Sequence, residues 1–160
     1  MAVDVGQKAP DFTLVDTALK PRSLHEFLQE GKPVILAFFP GAFTGVCTKE
    51  MCTFRDSLGR LQNANATLVA ISVDSPFANK AFAEHNNLTF PLLCDYNREV
   101  VRLYDVYHED FAGLKGYVAA KRSVFVLDGT GTVRYKWVTE NPGIEPPYEE
   151  VFRAVESLRQ

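Results

Sequence analysis

Cys47 and Cys52 stand five residues apart in a stretch whose apolar residues recur at helical spacing, an arrangement suited to thiol chemistry. Cys47, Met51, Phe54, Leu58 and Leu61 follow steps of four and three, so they share the inward face of a helix predicted from just after Pro40 to about Gln62. Cys47 falls in its first turn, where unsatisfied backbone N–H groups and the positive end of the helix dipole favour a thiolate. Upstream, Pro40-Gly-Ala-Phe-Thr44-Gly-Val-Cys47 sets a hydroxyl three residues before the sulfur, on the loop that enters the helix. Thr44 can hydrogen-bond whatever approaches that thiolate. Spacing alone leaves a blander alternative open, with Cys47 a small buried hydrophobe and Thr44 an N-cap. Cys52 follows Met51, and its helical neighbours are Thr48, Lys49, Arg55 and Asp56, which predicts a place on the polar side. Free cysteines are usually buried, so this placement favours a chemical role over inert filling.

Residues five apart on an intact helix are separated by roughly 8 to 9 Å at Cα, from a rise of ~1.5 Å and ~100° per residue. A disulfide tolerates ~7 Å. A Cys47–Cys52 bond therefore requires the first turns to unwind, and the sequence would then encode a redox-linked local unfolding. Ionisation alone offers little acceleration. A free thiol of pKa ~8.5 is about 3% thiolate at pH 7, which limits the gain to ~30-fold, and nucleophilicity falls as pKa falls. Groups aimed at the transition state must supply the rest.

The elements around these residues alternate between strand-like and helix-like patterns, without a long linker, charge block or internal repeat. That pattern predicts one α/β domain over residues 1–160. Strands are expected at 12–15, 34–39, 67–73, 90–93, 123–127 and 133–138, the last two joined as a hairpin across Asp128-Gly-Thr-Gly131. Ser75-Pro76 reads as an N-cap followed by proline at the first helical position. Further helices are expected near 99–104 and, from the spacing of Tyr148, Val151, Phe152, Val155 and Leu158, at the C-terminus.

Composition narrows the function. With 17 Lys/Arg against 20 Asp/Glu, the net charge of −3 argues against a general nucleic-acid binder. The longest apolar run, Val34 to Phe39, is far short of the roughly 20 residues that span a bilayer, so no membrane partner is expected. The N-terminal residues lack the pattern of a secretory signal, which makes the cytoplasm the expected compartment. Three cysteines are too few for a disulfide framework, and in a reducing compartment they would be thiols, ligands or reactive sites. His25, His85 and His108 are isolated in sequence, no Cys or His pair has zinc-type spacing, and no metal, flavin or haem motif is found.

Pro40-x-x-x-Thr44-x-x-Cys47 resembles the active-site signature of the peroxiredoxins, the alkyl hydroperoxide reductase/thiol-specific antioxidant family. Cys47-Thr-Lys-Glu-Met-Cys52-x-Phe-Arg-Asp resembles their Q-type branch, also called bacterioferritin comigratory proteins. The likeness extends through Gly6-Gln-Lys-Ala-Pro-Asp-Phe-Thr-Leu14, Ala70-Ile-Ser-Val-Asp74, Phe90-Pro-Leu-Leu93 and Arg122-Ser-Val-Phe-Val-Leu-Asp128. Gly41-Ala-Phe43 departs from it, being more similar to the one-cysteine, E-type alkyl hydroperoxide reductases than to the polar Q-type loop.

The resemblance implies a thioredoxin-like fold, with a central mixed β-sheet flanked by helices and an N-terminal extended or hairpin addition. It implies thiol-dependent reduction of hydrogen peroxide and organic hydroperoxides without a cofactor. Cys47 would be the peroxidatic cysteine, Thr44 and Arg122 its polar partners, Pro40 the shield over the pocket and Cys52 the resolving cysteine. A thioredoxin-like or glutaredoxin-like dithiol would restore both thiols. Arg122, at the head of a strand, has the alternative of an exposed ion pair worth about 0 to 1 kcal/mol. Cys94 stands where the resembling proteins commonly have Ser, and its strand-end position favours a buried core thiol over a second resolving cysteine. Glu50 and Arg55, one to two turns into the helix, either support the site from behind or lie on a solvated face. Rival functions are a thiol-disulfide oxidoreductase acting on protein disulfides and a redox-switched binding protein. Monomer and homodimer both remain open.

Overall fold

The apolar run that begins at Val34 forms an interior strand of the sheet. The computed structural model describes residues 3–158. Along the chain these fold as β1 (Thr13–Asp16), β2 (Pro21–Ser23), α1 (Leu24–Leu28), β3 (Val34–Phe38), α2 (Gly45–Asp56), α3 (Leu58–Asn63), β4 (Thr67–Ser72) and α4 (Pro76–Asn86). There follow β5 (Leu92–Cys94), α5 (Glu99–Leu103), β6 (Tyr107–His108), β7 (Ala119–Ala120), β8 (Ser123–Leu127), β9 (Val133–Val138) and α6 (Tyr148–Glu156). The main sheet has the order β2-β1-β5-β4-β3-β8-β9, while β6 and β7 pair separately. β3, β4 and β5 run parallel and the outer pairings are antiparallel, so the sheet is mixed.

Every residue of β3 is buried, as a strand covered on both faces requires. Val34, Leu36 and Phe38 enter one core with Val101, Tyr104 and Phe125. Ile35, Ala37 and Phe39 enter the other, with Cys47, Met51, Phe54, Phe82, Val151 and Val155. α2, α4 and α6 therefore share one face of the sheet, and the thiol belongs to that core.

Several elements differ from the sequence-based expectations. The long helix is interrupted at Ser57, whose hydroxyl donates to Thr53 O at 2.9 Å and whose backbone turns out of the helix (φ −101°, ψ 3°). Back-bonding of this kind bends helices. The inward face nevertheless survives the break, with Cys47, Met51, Phe54 and Leu61 buried and Leu58 partly so. The strand expected at 90–93 forms instead at Leu92–Cys94, since Pro91 has no N–H to give to a ladder. The N-terminal extension is a hairpin of β1 and β2, followed by the short α1 that Ser23 caps through its hydroxyl. β2, α1, β6 and β7 are too short for periodicity to reveal.

Two features of this topology converge on Cys47. Pro40 ends the central strand and starts the loop into α2, so the first turn of α2 lies at the carboxyl end of the parallel strands, the usual place for a site in an α/β sheet. The β3–β8 register pairs Phe38 with Ser123. Arg122, one residue before β8, consequently emerges at the same end of the sheet.

Candidate active site

α2 starts at Gly45, making Cys47 its third residue, fully buried. Thr44 takes the N-cap position with extended backbone (φ −84°, ψ 150°) but does not cap the helix with its side chain. Its hydroxyl donates back to Gly41 O at 2.8 Å. The backbone N–H groups of the first turn thus keep the free state that helix geometry gives them. Thr44 is an N-cap by position and a polar neighbour of the thiol by contact, which joins the two readings the spacing left open.

Arg122 is 2% exposed and touches three partners at once. Nη2 donates to Cys47 Sγ at 3.2 Å and to Pro142 O at 2.9 Å, Nη1 to Glu50 Oε1 at 2.6 Å, and Nε to Pro142 O at 3.2 Å. The exposed ion pair that a strand-head arginine could have formed is therefore not what is observed. Glu50 is wholly buried as well, one helical turn after Cys47, which removes the solvated-face alternative for that residue. Arg55 points elsewhere, its side chain about one-third exposed and paired with Asp56 and Asn86 O.

Burial acts strongly on both acids of this cluster. It is the largest influence on Glu50 and, against the pull of Arg122, pushes its carboxyl up to about 7. Burial likewise pushes the Cys47 thiol upward, with the Arg122 charge, the Thr44 hydroxyl and the Gly41 backbone pulling it down. The low thiol pKa expected from the helix terminus alone is thus offset by desolvation, which disfavours any charged form. One guanidinium faces both buried acids, Cys47 and Glu50.

The loop before α2 is held by a carboxylate on the neighbouring strand end. Ala42 N donates to Asp74 Oδ2 at 2.8 Å, and the Ser72 hydroxyl donates to the same oxygen at 2.8 Å. Phe43 adopts a left-handed backbone (φ 64°), sparsely populated for a residue with a large side chain. It remains 54% exposed, with its ring edge-on to Phe82 at 5.3 Å and beside His85 at 5.9 Å. An aromatic rim therefore stands at the entrance to the loop.

Thr44, Cys47 and Arg122 meet at one place, with Pro40 buried in the loop that leads to it, and Cys52 lies about one and a half turns further along α2. Cys52 is half-buried, its thiol 3.6 Å from Asn86 Oδ1 at the end of α4. The polar face expected for it is only partly correct, because Asn86 at the end of α4 reaches over that side of α2. All three cysteines are free. Cys94 is buried and accepts from Asn79 Nδ2 at 3.3 Å, which agrees with a core thiol. Among the described residues no group of three or more His, Cys, Asp or Glu side chains is placed to hold a metal, and no helix is long and apolar enough to cross a membrane. A surface cavity of about 920 Å³ is lined by Pro33, Asn63, Asp128 and Arg134 at the opposite end of the sheet from Cys47.

Sequence reasoning missed Pro142 and Asp74. Asn141-Pro142-Gly143 is legible as a turn, but nothing local announces that its carbonyl clamps Arg122. Asp74 lies within a stretch already carrying the family resemblance, which could have singled it out.

The AhpC/TSA family profile matches residues 5–136. The chain is 38% identical over 137 residues to a Coxiella burnetii protein described as a putative peroxiredoxin bcp, covering 86% of this chain and 89% of that one. It is 38% identical over 135 residues to alkyl hydroperoxide reductase E of Mycobacterium bovis, covering 83% and 84%. Against the chloroplastic peroxiredoxin Q of Populus jackii it is 40% identical over 132 residues, 82% of this chain but only 59% of that protein's length. In three dimensions it is similar to the crystal structure of peroxidoxin BcpB from Mycobacterium tuberculosis, with a TM-score of 0.87, 31% identity and 99% of both chains covered. A peroxiredoxin-like protein from Aquifex aeolicus superposes with a TM-score of 0.86 at 26% identity, over 99% of this chain and 89% of that one. The mixed sheet flanked by helices is accordingly the thioredoxin-like fold expected from the sequence, and the chain belongs to the AhpC/TSA family, among its peroxiredoxins.

Proposed function

We propose that the chain, acting as one domain, is a thiol peroxidase that reduces hydrogen peroxide and organic hydroperoxides in the cytoplasm. The observation that carries this reading is the 3.2 Å contact between Arg122 Nη2 and Cys47 Sγ at the start of α2. A fixed positive charge, a hydroxyl and free helix-terminal N–H groups then surround the one atom that must attack. The Cys47 thiolate attacks one peroxide oxygen, the O–O bond breaks, and the electron pair leaves with the other oxygen, which takes up a proton to become water or an alcohol. Charge spreads from sulfur over both oxygens in the transition state. Arg122 is positioned to follow it, the Thr44 hydroxyl follows by turning its proton from Gly41 O to the peroxide, and donors of this kind are each worth on the order of 10² to 10³ in rate. Pro40 shields the pocket from bulk water, which strengthens those contacts.

The product is Cys47 sulfenic acid, which is open to irreversible further oxidation. Cys52 resolves it to an intrachain disulfide once α2 has unwound, and a thioredoxin-like or glutaredoxin-like dithiol restores both thiols by exchange. Turnover of hydrogen peroxide coupled to a thioredoxin system tests this function: the parent protein should turn over and Cys47→Ser should not. Efficient insulin reduction combined with slow peroxide consumption would support the thiol-disulfide oxidoreductase reading instead.

A further inference from the structure

Asn86 closes α4, with Asn87 in the left-handed conformation beyond it (φ 54°, ψ 44°). Its side chain is nearly buried and fixed, since Nδ2 donates to Phe82 O at 3.1 Å. Oδ1 receives the Cys52 thiol at 3.6 Å, and its backbone O receives Arg55 Nη1 at 2.7 Å. The carbonyls of a last helical turn have no intrahelical partner, and Arg55 takes one of them. A single residue of α4 therefore holds α2 at two points one turn apart, both downstream of Cys47. One of those points is the sulfur proposed to leave the helix.

We propose that Asn86 is a positioning residue for the resolving step, a latch that keeps Cys52 in folded α2 and sets how fast it reaches oxidised Cys47. This rests on the proposed role of Cys52. In that step Cys52 Sγ displaces hydroxide from the Cys47 sulfenic sulfur, the S–O bond breaks as the S–S bond forms, and the thiol proton leaves with the hydroxide as water. Helix geometry forbids the bond while α2 is intact, so unwinding must first break the Asn86 contacts. Asn86 touches neither Cys47 nor Arg122, and the first oxidation is independent of it. The latch thus divides sulfenate between resolution and overoxidation: tighter holding prolongs the sulfenate and exposes it to a second peroxide.

Rapid-mixing measurements on full-length parent, Asn86→Ala and Asn86→Ser, with thiol trapping and peptide mapping, separate the two steps. Both variants should keep the parent rate of Cys47 oxidation by hydrogen peroxide. Disulfide formation should quicken about three- to tenfold, the worth of one weak hydrogen bond, and the peroxide dose for half-overoxidation should rise in proportion. A general loosening of the fold would change both steps, so the unchanged first rate distinguishes a latch from a structural residue; Asn86→Ser guards against misfolding of the alanine variant. A Cys47–Cys52 bond forming at the parent rate or slower in both variants overturns the latch alone. Absence of that bond in the parent protein overturns the resolving role of Cys52 and the latch with it.

Discussion

Arg122 and Glu50 form a wholly buried ion pair, Nη1 to Oε1 at 2.6 Å, and Nη2 of the same guanidinium, which also donates to Pro142 O, lies 3.2 Å from Cys47 Sγ. The second Glu50 oxygen, Oε2, is buried without a partner. Taking both charges out of water costs several kcal/mol per ion, and an unpartnered oxygen adds to that cost, so this arrangement needs a compensating gain. A guanidinium pinned at its far edge by Glu50 and Pro142 O has a fixed direction, and a fixed direction is what a transition-state donor requires.

Arg122→Lys should therefore slow Cys47 oxidation by about 10² to 10³, the loss of a donor aimed at the transition state. A lysine retains the charge but cannot span Cys47 and Glu50 together. Single-turnover oxidation with hydrogen peroxide checks this, and an unchanged rate constant would remove Arg122 from the reaction.

Glu50→Gln should lower the Cys47 thiol pKa, because it removes a second acid competing for the Arg122 charge. Ultraviolet absorbance of the thiolate against pH reads this directly. A stability effect accompanies it. The folded Glu50 carboxyl, at about 7, lies above its ordinary value near 4.5, so protonation favours the folded state. That contribution is complete below about 4.5 and is lost as pH rises through about 7. The melting midpoint of Glu50→Gln should consequently vary less than the parent's between pH 4.5 and 7.5.

Thr44→Val should slow oxidation by about 10², whereas Thr44→Ser should retain most of the rate because its hydroxyl can still turn its proton from Gly41 O to the peroxide. Equal rates for valine and serine would show that the hydroxyl takes no part.

Much of this site was legible in the sequence because its geometry is local. The i, i+4, i+7 spacing from Cys47 to Phe54 gave the buried face of α2, and Pro40 and Thr44 gave the loop into it. Arg122 was reached through resemblance alone, since its approach to Cys47, 75 positions away, depends on the β3–β8 register. Tertiary contacts hid the rest. Glu50 reads equally as a support for the site or a solvated residue until Arg122 arrives over it, and Cys52 reads as exposed until Asn86 at the end of α4 reaches its thiol. The inward face of Cys47 was legible, but the upward push that its burial gives the thiol was not drawn from it, because a helix terminus announces its dipole and not how completely the core closes around it.

Cys52→Ser should keep the first rapid oxidation of Cys47 and lose turnover with a dithiol reductant. Its sulfenate should persist, and mass spectrometry should find sulfinic acid accumulating with excess peroxide. Full turnover in Cys52→Ser would transfer resolution to Cys94 or to an outside thiol.

The central claim, that Cys47 is oxidised by peroxide and resolved by Cys52 within one chain, is tested most directly by mixing the fully reduced protein with one equivalent of hydrogen peroxide. Thiols are blocked at successive times and the peptides mapped by mass. The account predicts rapid loss of the Cys47 thiol, followed by a Cys47–Cys52 linked peptide, with Cys94 unmodified throughout. A Cys47 thiol that survives while peroxide remains would contradict it.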